Sequence, residues 1–165
     1  ARPGRKILLR GNHDTWWTSV SRVRAALPQG CSILQHDAHG LKGRVLVGAR
    51  GWTSPDDPTA TERDATIFRR EIGRLEMSVA DADRRFGRDL PRVAMLHYPP
   101  WIEGRPPGEV MGVLRKAGVR DCVYGHLHGA DIALGVKGDR DGIRFHLVSA
   151  DAAGFAPVEI PGDAS

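Results

Sequence analysis

Apolar residues along the chain fall into several short runs and one long stripe. From Thr59 to Phe86 the residues Ala65, Phe68, Ile72, Leu75, Val79, Ala82 and Phe86 recur at steps of three and four, the period of an α-helix, while Arg, Glu and Asp fill the other positions. The stripe predicts one long amphipathic helix laid against a sheet. A coiled coil is disfavoured, because the seam lasts only about three heptads and Gly73 interrupts its polar side. Val20, Val23 and Leu27 predict a short helix over Ser19 to Leu27, stopped by Pro28. Another is expected over Gly108 to Ala117, closed by Gly118.

The short runs read as strands: Lys6 to Arg10, Ile33-Leu34, Arg44 to Ala49, Arg92 to Leu96 and Val119 to Tyr124. Ile132 to Val136 and Ile143 to Val148, flanking the turn residues KGDRDG, predict a hairpin. The order implies a mixed α/β domain with strands feeding loops, and no internal repeat, low-complexity tract or linker divides it.

Three of these strands end alike. KILLR runs into Gly-Asn12-His13-Asp14, RVAML into His97-Tyr98-Pro99-Pro100, and DCVYG into His126-Leu-His128-Gly. Buried strands that end along one edge of a sheet deliver their loops to a single crevice, where α/β proteins place their chemistry. A lone histidine after a strand is ordinarily structural, but three such loops together are not accounted for that way. Imidazoles and an Asn carbonyl oxygen form an N/O donor set suited to Mn, Fe, Zn or Ni. A hard cation such as Ca would require more carboxylates than these loops carry.

Composition narrows the picture. The chain has 165 residues, 41% hydrophobic and 27% charged, within the range of one folded domain. Its net charge of +4 is spread over Lys and Arg interleaved with Asp and Glu, which argues against a nucleic-acid surface. Cys31 and Cys122 stand far apart and read as reduced core thiols. No apolar stretch reaches the length of a membrane span and no signal-peptide core is present, so a soluble cytoplasmic protein is expected.

GNHD, a strand-end histidine and GHLH resemble the third, fourth and fifth sequence blocks of the calcineurin-like metallophosphoesterases. The resemblance is closer to a bacterial subgroup of phosphohydrolases carrying GNHD with aromatics, RGW, HYPP and YGHLHG. The corresponding stretches here are GNHDTWW, Arg50-Gly51-Trp52, His97 to Pro100 and Tyr124 to Gly129, in the same order over nearly the whole chain. The resemblance implies a two-sheet β-sandwich flanked by helices and a phosphoester hydrolase with two divalent metal ions (Mn, Fe, Zn or Ni) activating a bridging water. It further implies that Asn12, His97 and His126 bind one metal and His128 the second. His13 would donate a proton to the leaving group, and Asp14 would orient His13. The partner implied is a small phosphoester, with no nucleic acid and no membrane.

The family's first two blocks, Asp-x-His and Gly-Asp-x-x-Asp, should precede GNHD. Only eleven residues precede Asn12, without Asp or His among them, and the first residue is Ala1 rather than Met. Residues 1–165 are therefore expected to form a single, N-terminally truncated domain, about the last two-thirds of the family's, that is weakly active or inactive; the alternative is a non-catalytic fragment or pseudoenzyme serving as a binding module. His36, Asp37, His39, Asp56 and Asp57 read as loop residues rather than replacement ligands. Asp151, after the last strand, could approach the crevice. Arg10 and Arg50 could face a phosphate but more ordinarily are solvated or ion-paired, and Trp16 and Trp17 read as core packing in preference to a pocket wall. The Pro99-Pro100 segment reads as a rigid loop in which a cis bond is an option.

Overall fold

In a computed structural model the described residues, 4–161, build a six-stranded mixed sheet with two helices on one face and a small separate sheet on the other. In chain order the elements are β1 (Lys6–Leu8), α1 (Val20–Ala26), β2 (Cys31–Ile33), β3 (His39–Leu41), β4 (Arg44–Ala49), α2 (Glu62–Phe86), β5 (Arg92–Leu96), α3 (Glu109–Lys116), β6 (Val119–Tyr124), β7 (Gly138–Arg140) and β8 (Ile143–Leu147). Strand order in the large sheet is β3-β4-β5-β6-β8-β7. The inner four strands run parallel, and the edges β3 and β7 are antiparallel. β1 and β2 pair with each other in parallel.

Alternation along the strands explains the layers. Val45, Val47 and Ala49 of β4 and Ala94 and Leu96 of β5 point to one side, where Leu75 and Ala82 of α2 and Met111 and Leu114 of α3 cover them. Leu46 and Val93 point to the other side, where they meet Leu34, Ile7 and Leu9 from the β1–β2 unit. The long stripe forms α2, whose N-terminus is a reciprocal cap between Thr61 and Asp64. Ser78 is buried within that helix despite its polarity: its hydroxyl donates to Asp37 O (2.6 Å) and accepts from Gly48 N (2.9 Å). Gly48 is required by close approach, since a Cβ there would lie 2.0 Å from Met95 O on the neighbouring strand.

The structure revises three expectations. The Lys6 to Arg10 strand stops at Leu8, and an additional strand, β3, forms at His39–Leu41. The hairpin is displaced: Gly129–Leu134 is a 3-10 turn, and β7 and β8 meet at Asp141-Gly142, both with positive φ (56° and 76°). A two-residue Asp-Gly turn of this kind matches the twist of paired strands. All described peptide bonds, those of Pro99 and Pro100 included, are trans. Among the described residues no helix is long and apolar enough to cross a membrane.

Candidate metal centre

The loops following β1, β5 and β6 meet at the C-terminal edge of the parallel strands. β5 continues into His97, whose N–H, with that of Tyr98, donates to Arg50 O at the end of β4 (3.0 and 2.9 Å). Gly125 N in turn donates to His97 O (3.2 Å), so adjacent strand ends are laced to one another. Arg50 is also held by its side chain, which donates to the buried Glu71 Oε1 (2.8 Å) and stacks on Trp52 (4.5 Å). It is therefore an ion-paired brace between β4 and α2 rather than a free phosphate ligand.

Side chains converge where these loops meet. Asn12 Oδ1 lies 2.7 Å from His97 Nε2, and His126 Nδ1 lies 3.3 Å from the same nitrogen. Donors held at about 2.1 Å from one cation, at angles between octahedral and tetrahedral, are about 3.0–3.4 Å apart; the His97–His126 pair has that spacing, while the shorter Asn12 contact is a hydrogen bond in which His97 Nε2–H donates to Asn12 Oδ1. The local backbone is shaped for this. His126 is the centre of a three-residue turn closed by Leu127 N to Gly125 O (2.9 Å), with φ at 71°, the rarer and strained form of that turn. Gly11 leaves room for the His97 ring, since a Cβ there would lie 3.2 Å from His97 Cε1.

Burial disfavours charge on the cluster. Burial, reinforced by the neighbouring His126 and opposed by Asp14, draws His97 down to about 4. Burial also lowers His126, with His128 and His13 acting in the same direction. Neutral rings expose the lone pairs that a transition metal takes up. Among the described residues no three His, Cys, Asp or Glu side chains gather as a metal site by themselves. The convergent set is two imidazoles and the Asn12 amide, and its donor chemistry fits a borderline divalent ion.

The remaining expected residues stand differently. His13 is exposed, close enough for its charge to lower His97 and His126. Asp14 does not hydrogen-bond to it: Oδ2 accepts from Gly11 N (2.6 Å) and Oδ1 from Trp16 Nε1 (3.1 Å). The carboxylate thus shapes the GNHD turn. Trp17 is buried with Val23 and Ile33, whereas Trp16 is exposed. His128 is exposed and pairs through Nδ1 with Asp151 Oδ1 (2.8 Å) instead of joining the other three. Asp151 also accepts from Gly129 N (2.8 Å) and Ala152 N (3.0 Å), and these bonds, with that of Gly129 first and then that of His128, hold it at about 2. No motif marked Asp151; the parallel pairing of β6 and β8 places its loop beside the GHLH loop. His36, Asp37 and His39 are engaged with Gln35, Arg24 and Ile33 O respectively. Comparison of the chain with family models, curated proteins and solved structures finds no match.

Proposed function

We propose that the chain is a member of the calcineurin-like metallophosphoesterases and hydrolyses a phosphoester with the aid of divalent metal. The observation that carries this reading is the convergence of Asn12 Oδ1, His97 Nε2 and His126 Nδ1 from three strand-end loops. Packing of the β1–β2 unit against the sheet face opposite the helices supports the two-sheet sandwich of that family.

Asn12, His97 and His126 would hold one metal, and His128, steadied by Asp151, would offer Nε2 to a second. Such ions, when bound, supply Lewis acidity that makes water a nucleophile at neutral pH and neutralises phosphate charge. In the overall reaction the water oxygen bonds to phosphorus, the bond from phosphorus to the alcohol oxygen breaks, and the leaving oxygen takes a proton. His13, which is exposed, would deliver that proton. Asp14 acts by holding the loop that presents Asn12 and His13.

Among the described residues the donor set is neutral, and no carboxylate joins Asn12, His97 and His126. The isolated 165-residue chain is accordingly expected to bind metal weakly; two metals per molecule retained through dialysis would contradict this. A binding module without turnover is the second reading, favoured by the engagement of both Asp14 oxygens with Gly11 and Trp16 rather than with the His cluster. Hydrolysis of an aryl phosphate with added Mn²⁺ separates the two. Turnover should fall by about a hundredfold or more in His126→Ala and His13→Gln, the scale of a lost ligand or general acid. Equal activity in wild type and both variants at matched metal loading would overturn the site assignment.

A further inference from the structure

A cleft of about 550 Å³ opens from His126 toward the N-terminus of α3, walled by Trp52, Tyr98 and Trp101. It is continuous with the donor cluster, because Tyr98 stacks on the His126 ring at 4.0 Å and is part of the same wall. Trp101 is fixed by its Nε1–H, which donates to Arg105 O (2.7 Å), and Trp52 by its donation to Asp64 Oδ1 (2.9 Å). The rings are therefore preorganised, and binding against them costs little side-chain entropy.

The charge of this cleft is opposite to that of the chain. Asp56, Asp57, Glu109 and Asp131 line it against a single guanidinium, Arg105, which is already paired with Asp57 (3.1 Å). Asp56, Glu109 and Asp131 form no ion pair among the described residues. A hydrogen bond from Thr59 lowers Asp57 and keeps it ionised. Carboxylates beside aromatic faces are the surroundings that favour a poorly hydrated organic cation, through ring quadrupoles and long-range attraction together. An anionic group would meet repulsion here, and a neutral one would gain nothing from the carboxylates.

We infer that this cleft receives a substituted ammonium group, so that the substrate is the phosphoester of an amine-bearing alcohol with its phosphate directed at Asn12, His97 and His126. The substrate part of the inference rests on the phosphoesterase reading; the ammonium site does not. Two arms test them separately. In the first, choline and dimethylbutanol, its uncharged carbon isostere, are titrated into the metal-free chain while the ring protons of Tyr98 and Trp101 are followed by NMR. Choline should bind about tenfold more tightly, and the exposed-site double variant Glu109→Gln/Asp131→Asn should lose most of that preference while keeping its fold. The site is overturned if the isostere binds equally well, if neither compound shifts those rings, or if the neutralised variant keeps the preference. In the second arm, phosphocholine and glycerol phosphate are compared with added Mn²⁺, and kcat/KM should favour phosphocholine by about tenfold, the same electrostatic advantage. Turnover without preference overturns the substrate class. Choline binding without turnover of either ester overturns the substrate part of the inference in favour of the binding-module reading and leaves the ammonium site standing.

Discussion

His97 illustrates how one residue couples the site to stability. It is neutral in the fold down to about 4, against an ordinary value of 6.5, because burial and His126 disfavour its charge. The unfolded chain therefore takes up a proton that the folded chain refuses, and stability is lost as pH falls from 6.5 toward 4. The full shift corresponds to about 3 kcal/mol at most, reduced by solvent reaching the half-buried ring. Urea denaturation of the metal-free chain at several pH values should show that acid-sensitive component, and His97→Gln should remove most of it. His128 makes a different prediction. The Asp151 carboxylate at its Nδ1 favours the tautomer protonated there, leaving Nε2 as the acceptor. Nitrogen-15 NMR of the ring should report that tautomer in wild type and a mixture in Asp151→Ala. The candidate ligand types were visible in the sequence, but Asp14's turn-holding role and Asp151's partnership were not, since both depend on distances between groups that no local pattern encodes.

At the scale of elements, the apolar pattern was most informative where burial is one-sided and long. The stripe of α2, the strands β4, β5 and β6 and the short α3 occur within a few residues of where periodicity places them. β3 was invisible because His39-Gly40-Leu41 carries one large apolar residue, and β7 because Gly138-Asp139-Arg140 is wholly exposed and polar. The apolar Ile132 to Val136 segment drew the hairpin to the wrong place, although Asp141-Gly142 already named the actual turn. Two positions of α2 separate packing from propensity. Ser78→Ala leaves the Gly48 N–H unpartnered beneath the helix and should cost about 1–3 kcal/mol. Gly73→Ala adds a methyl where nothing lies within 4 Å and should stabilise by about 0.5–1 kcal/mol. Thermal or urea melts of the two variants should move in opposite directions.

Across the whole molecule, parallel strands bring loops far apart in sequence to one edge, with Asn12 and His97 85 positions apart and still within hydrogen-bond distance. Helices cover one face of the sheet and the small β1–β2 unit packs on the other, so the edge itself is left open for chemistry. At that edge Asn12, His97 and His126 are proposed to act as one metal-binding unit. Titration of the metal-free chain with substoichiometric Mn²⁺, followed through the ring-proton resonances of all seven histidines, tests it most directly. Paramagnetic broadening should strike His97 and His126 first, before His36, His39 and His146, and should be lost from both in Asn12→Ala. Broadening that begins at the other histidines, or spreads evenly over all of them, would contradict the claim.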